Sequence, residues 1–163
     1  MRLSSGVEWA LHCCVALGEG VETPVPVARL AELYEVSTTY LAKHLQSLSG
    51  AGLIESARGK AGGYRLARPA ETITVLDVVR AIDGDDPAFV CTEIRQRGPF
   101  GASPEDCQRT CSVARVMIAA DEAWRSALRD VSIKDVADDV DLVAGRDTLS
   151  RIRTWLANDT RIP

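Results

Sequence analysis

Several features are scarce or absent in this chain of 163 residues. No apolar run reaches the roughly 20 residues that span a bilayer. The first seven residues lack the basic region and apolar run of an export signal, so a cytoplasmic protein is expected. Cysteine occurs five times. An odd count without an export signal argues against a disulfide framework and for reduced thiols or metal ligands. Histidine occurs twice. There is no phosphate-binding glycine loop, dinucleotide fingerprint, nucleophile elbow or zinc-protease motif, so no catalytic residue and no enzyme activity is expected. Internal repeats and low-complexity segments are also missing.

What is present is ordinary in amount and uneven in placement. Apolar residues at 46% and charged residues at 26% fit a folded chain. The formal net charge is -4. Residues 36–68, however, hold Lys43, Arg58, Lys60, Arg65 and Arg68 against Glu55 alone, while acids concentrate from Asp83 onward. Nucleic-acid binding depends on the field at the contact face and not on the total, so the acidic average excludes nothing.

Apolar spacing predicts a first helix over 5–17, with Val7, Leu11, Cys14 and Val15 on one stripe. Cys13 and Cys14 are read as core filler. A short helix over 27–34 is followed by a turn at Glu35-Val36 and a third helix over 37–49, with Ser37 as its N-cap and Leu41, Leu45 and Leu48 inward. Strands over 53–57 and 64–67 flank a glycine-rich basic tip and predict a hairpin. Further helices are expected over 74–82, capped by Thr74, over 112–131, and over 148–157. The segment 83–106 shows no periodicity, and a stretch of that kind in a compact protein is usually functional or mobile. The fold class is therefore mainly α: a winged helix-turn-helix unit over 1–82, a loop over 83–111, and over 112–163 a long helix for dimerisation with a helical end.

The third helix offers Ser37, Thr38, Thr39, Tyr40, Lys43 and His44 where short polar groups and cations reach base edges and phosphates. Arg58 and Lys60 on the hairpin tip are placed to follow the neighbouring DNA backbone. A polar helix face alone is usually only a solvated surface; the basic hairpin after it favours double-stranded DNA as the partner. Cys91, Cys107 and Cys111 lie in or at the end of the loop, fifteen residues separating the first two and three the last two. They suggest a metal or redox site.

The run from Leu30 to Leu48 and the run from Ala51 to Ala67, which includes Ala57-Arg58-Gly59-Lys60-Ala61-Gly62-Gly63-Tyr64, resemble the helix-turn-helix and wing of the IscR/NsrR/RsrR-type winged-helix transcriptional regulators. The likeness extends over about residues 1–135. It implies a homodimer on palindromic DNA, often with an iron-sulfur cluster on the loop cysteines. Here the cysteine spacing departs from the usual three close thiols. A two-iron cluster needs four ligands, and histidine is a known replacement for cysteine. Glu8 and His12 stand four residues apart on the first helix, and Glu8-Trp9-Ala10-Leu11-His12 resembles the redox-sensing RsrR branch, in which that helix supplies ligands across the dimer. The resemblance implies a 2Fe-2S cluster on Cys91, Cys111, His12 and Glu8, with Cys107 the substitute for Glu8. It also implies a redox-responsive regulator, a repressor by expectation, with Trp9 as a redox-switch candidate.

Simpler readings stand beside these. Ser5-x-x-Glu8 fits a capping box, His12 fits a solvated position, and Trp9 fits a dimer contact. A cluster-free thiol sensor, a zinc-binding winged-helix protein and an electron carrier are the rival functions.

Overall fold

The fold is a computed structural model that describes residues 3–158 apart from 21, 22, 58, 60 and 61. Helix α1 (Ser5–Gly18) is the central element, with Ala10, Cys13, Cys14 and Ala16 completely buried. Those small side chains keep it slim, so α3 (Thr38–Gly50), α4 (Val75–Asp83) and α6 (Ile133–Ala144) all pack against it.

Helix α2 (Val27–Leu33) and α3 form the helix-turn-helix. Their turn passes through Glu35 at φ 51°, and the Val36 amide donates to the Ala31 carbonyl at 3.0 Å. Leu41, Leu45 and Leu48 are fully buried, as their spacing predicts. Ser37 occupies the N-cap position of α3 but its side chain makes no cap hydrogen bond.

Strands β1 (Ile54–Ala57) and β2 (Gly63–Leu66) pair antiparallel, with Ile54 opposite Leu66 and Ala57 opposite Gly63. The Val25 and Tyr64 amides each donate to the other's carbonyl at 2.8 Å, which ties the wing to the chain before α2. This close approach requires glycine at 63. A Cβ there would lie 2.4 Å from the Val25 carbonyl carbon.

Helix α4 starts in the capping box expected of Thr74: the Asp77 amide donates to Thr74 Oγ1 at 3.1 Å, and the Thr74 amide to Asp77 Oδ2 at 3.0 Å. The loop that follows is irregular apart from a 3-10 turn at Ile94–Gln96. Then come α5 (Ser112–Arg129), α6 and α7 (Thr148–Ala157).

Apolar spacing assigned no element to the residues of α6. The helix forms because Ser132 and Asp135 make a second capping box and because Ile133, Val136, Ala137 and Val140 give it an inward face. The Ile133 amide donates to the Ile73 carbonyl at 2.8 Å and the Val75 amide to the Val131 carbonyl at 2.9 Å, anchoring the α5–α6 turn to the start of α4. Helix α7 lies against the helix-turn-helix, where the Arg29 guanidinium stacks 3.4 Å from the Trp155 ring centroid and donates to the Trp155 carbonyl at 2.7 Å.

One simple reading of the first helix is overturned. The capping box Ser5-x-x-Glu8 does not form: Ser4 is the N-cap of α1, and its amide and hydroxyl donate to Asp83 at 2.9 and 2.5 Å. Helix α5, the long helix expected over 112–131, contributes little to the core. Ala114 is its sole buried residue, while Val113, Val116 and Met117 are exposed. No helix among the described residues is long and apolar enough to cross a membrane.

Candidate DNA interface and thiol site

Ser37, Thr38, Thr39, Tyr40 and Lys43 are exposed at the N-terminal half of α3, where a recognition helix presents its reading groups. His44 differs from them. It is half-buried, and its ring occupies the space beside Gly6, where a Cβ would come within 2.4 Å of Cε1. Trp9 meets His44 edge-on at 5.8 Å between ring centroids and Tyr40 at 6.2 Å. His44 is thus an α1–α3 packing residue as much as a surface one. Trp9 does not turn away from the interior; it is half-buried against the core and joins α1 to the recognition helix.

The local positive charge is partly spent within the fold. Arg65 pairs with Glu55 at 2.5 Å and Arg68 with Asp77 at 3.0 Å. These exposed pairs add little stability. They leave Lys43 as the exposed cation on the described part of α3. Arg58 and Lys60, expected on the wing tip, lie outside the described residues.

Glu8 and His12 are both exposed and line one groove of about 610 Å3 between α1 and α6. Apolar side chains of Leu3, Val7, Leu11, Val15, Val136 and Val140 form most of its wall. Tyr34 Oη donates to the His12 main-chain carbonyl at 2.8 Å, and the two rings stand 5.5 Å apart. That bond engages the backbone and not the imidazole nitrogens. Without a capping box, Glu8 makes no side-chain hydrogen bond among the described residues.

The loop cysteines sit in a separate, charged setting. Cys91 is half-buried and its thiol donates to Glu93 Oε1 at 3.5 Å. Arg95 donates through Nε and Nη2 to Glu93 Oε2 at 3.1 and 2.7 Å, and through Nη2 to the Arg109 carbonyl at 3.0 Å. Cys107 is half-buried; Cys111 is buried at the N-cap of α5. The Ala114 and Val113 amides, with the Arg95 charge, hold the Cys111 thiol below its ordinary pKa. Arg125 fastens the start of the loop to α5, donating to the Asp85 carboxylate, to Asp121 Oδ2 at 2.8 Å and to the Asp86 carbonyl at 3.1 Å. By contrast, burial pushes the Cys13 thiol up to about 12 and Cys14 higher still, which fits their reading as inert core.

The donor set suits iron chemically, with thiolates, an imidazole and a carboxylate, but a single chain does not assemble it. Among the described residues no three His, Cys, Asp or Glu side chains are grouped to hold a metal ion. Glu8 and His12 belong to the α1 groove and the thiols to the loop. Arg95, Glu93 and Arg125 were not anticipated. The available signal was the set of charges flanking Cys91 in a segment otherwise rich in glycine and proline.

Known proteins resemble this chain in sequence and in fold. Protein aau3 of Rhizobium meliloti is 32% identical over 139 residues, covering 83% of this chain and 84% of its own. BadM of Rhodopseudomonas palustris, named as a candidate HTH-type transcriptional regulator, is 30% identical over 86% of this chain and 84% of its own. Among solved structures, the oxidized form of Staphylococcus aureus CymR aligns at TM-score 0.63 and 26% identity, covering 85% of this chain and 97% of that one. T. potens IscR aligns at TM-score 0.63 and 24% identity over 86% and 88%, a likeness of fold. The Rrf2 family profile, described as an iron-dependent transcriptional regulator, matches residues 3–139, from the residues before α1 into α6. The chain belongs to the Rrf2 family of transcriptional regulators.

Proposed function

We propose that this protein is a cytoplasmic, homodimeric repressor of the RsrR-like branch, binding palindromic DNA under the control of a 2Fe-2S cluster. Its parts are the winged helix-turn-helix of 1–82, the ligand loop of 83–111 and the dimerising segment of 112–163. Cys91 and Cys111 of one subunit and Glu8 and His12 of the other hold the cluster. The observation that carries this reading is the pair Glu8 and His12, exposed side by side in an apolar groove and apart from the thiols of their own chain. A second copy supplies what each half lacks, and the exposed Val113, Val116 and Met117 of α5 provide apolar surface for it.

When bound, such a cluster supplies one-electron redox chemistry. The protein side of the response is a lever. Glu8 and His12 flank Trp9 on α1, and Trp9 packs on Tyr40 and His44 of the recognition helix. A change in the pull on α1 therefore reaches α3 through direct ring contacts and alters the fit to both half-sites.

Complementation tests the reading. After anaerobic reconstitution with iron and sulfide, the double variants Cys91→Ala/Cys111→Ala and Glu8→Ala/His12→Ala are each expected to stay colourless. Mixed in equal amounts and allowed to exchange subunits, they regain visible absorbance at about a quarter of the wild-type level, because about half of the dimers are then heterodimers and each holds one complete shell of two. Failure of the mixture to colour while each variant still dimerises sinks ligation across the dimer. A wild-type protein that takes up no iron sinks the cluster altogether. The second reading, a cluster-free thiol sensor, is favoured by the lowered pKa of the Cys111 thiol beside Arg95. It predicts that peroxide alone changes DNA affinity of the iron-free protein and that Cys111→Ala abolishes the change.

A further inference from the structure

We infer that Arg95 is the positioning residue of the cysteine shell, closing the loop so that Cys91 and Cys111 face one site and supplying the positive charge that sets how readily the site takes an electron. The inference rests on the cluster reading above. Residues 91–111 contain no helix or strand to hold their ends together; the 3-10 turn at Ile94–Gln96 is the regular structure described there. Without other ties, a loop of that length holds its ends together only at an entropic cost. The connection is made by one side chain. The Arg95 guanidinium reaches Glu93 with two N–H groups on one side and the Arg109 carbonyl on the other, and the Arg95 carbonyl accepts from the Ala102 amide at 2.8 Å. Glu93 is the residue that receives the Cys91 thiol, and Arg109 lies two positions before Cys111. Arg95 therefore links the Cys91 end of the loop to the Cys111 end through one hydrogen-bonded step on each side.

The local backbone shows that this tie is demanding. Glu93 adopts φ 48°, ψ 48°, a left-handed conformation that residues other than Gly, Asn and Asp rarely enter. The guanidinium fork on its carboxylate holds it there. Lysine cannot reproduce this, because an ammonium group lacks the planar fork that grips a carboxylate twice and still reaches a carbonyl.

The charge has its own consequence. Arg95 lies near Cys111, and its guanidinium carries a permanent positive charge. A shell of two thiolates and a carboxylate is net negative, and an added electron makes it more so. A fixed cation beside it stabilises the reduced form, while Glu93 partly offsets that cation.

Three variants separate the two roles in the full-length protein, reconstituted anaerobically and titrated with dithionite against redox dyes. Arg95→Gln is expected to move the oxidised-to-reduced ratio at a fixed potential about tenfold toward the oxidised form. Glu93→Gln moves it the opposite way, and no misfolded loop predicts opposite signs. Arg95→Lys stays near wild type in potential. Hydrogen exchange of residues 91–111 in the iron-free protein reads the closure independently: both Arg95 variants speed exchange at Ala102 and neighbouring amides, while amides of α1 and α3 are unchanged. If wild type never takes up iron, the cluster reading has failed and the exchange experiment alone decides the closing role. Potentials that shift in the same direction in Arg95→Gln and Glu93→Gln overturn the charge role. Exchange in Arg95→Gln equal to wild type overturns the closing role.

Discussion

The winged-helix half and the half that begins at the loop use apolar residues in opposite ways. From α1 to α4 the chain buries its own stripe, with Cys13, Cys14, Leu30, Leu41, Leu45, Leu48 and Val78 all at 0% exposure. From the loop into α5 it displays it: Phe100 is 96% exposed, Val90 and Ile94 are 70%, and α5 contributes one buried residue over 18. The first region supplies most of the core, which Ile133, Ala137, Leu149 and Leu156 of α6 and α7 complete. The stretch from the loop through α5 is shaped for contacts from outside the chain, and in the proposed dimer it presents the ligand loop to the partner's α1.

The sharpest way to break this contrast is to make the same kind of change on both sides. Leu45→Ala leaves a cavity in a fully buried site and is expected to cost about 2–5 kcal/mol in denaturant unfolding. A cost under ~1 kcal/mol would mean that Leu45 does not sit in the tightly packed core described. Val116→Glu has the complementary outcome. It leaves the helical circular dichroism signal intact, yet it shifts sedimentation toward monomer and weakens operator binding about a hundredfold, because a bivalent contact becomes a single one. A Val116→Glu protein that remains a dimer removes α5 from the interface.

Inside the winged-helix half, the α1–α3 contact is probed by Gly6→Ala. The new methyl meets the His44 ring, so the variant should lose about 1–3 kcal/mol of stability, and Gly6→Ala/His44→Ala should recover most of it. Equal destabilisation in the single and double variants would place the strain elsewhere. The mildest test is Ser132→Ala, which removes the α6 cap and should cost about 1 kcal/mol. The Asp135 partner adds a sign. Hydrogen bonds from Ser132 hold its carboxyl below the ordinary value, so its contribution is present above the unfolded pKa and fades as pH falls through the folded one. Ser132→Ala should therefore flatten the acid limb of the stability curve; an unchanged acid limb excludes that coupling.

Much of the fold was legible because its signals are local. The leucine spacing in α3, the Thr74 cap and the glycine-rich hairpin each act within a few residues. Helix α6 escaped because four acids, Asp135, Asp138, Asp139 and Asp141, interrupt a stripe made of Ile133, Val136, Ala137 and Val140. The Ser132-x-x-Asp135 box would have revealed it. Of the candidate site, the sequence offered residues but no surroundings: Glu8 and His12 share a face as their spacing requires, but nothing in the spacing could show the α6 wall opposite them.

Sequence alone determined the helix-turn-helix and the wing and put forward the candidate ligands, since backbone propensity, periodicity and donor chemistry are properties of short segments. Tertiary structure decided that Trp9 leans on Tyr40 and His44, that Gly6 makes room for the His44 ring, that Arg95 closes the cysteine loop, and that thiols and first-helix ligands stand apart within one chain. Those facts depend on which distant segments meet, and that is settled by packing the whole core at once.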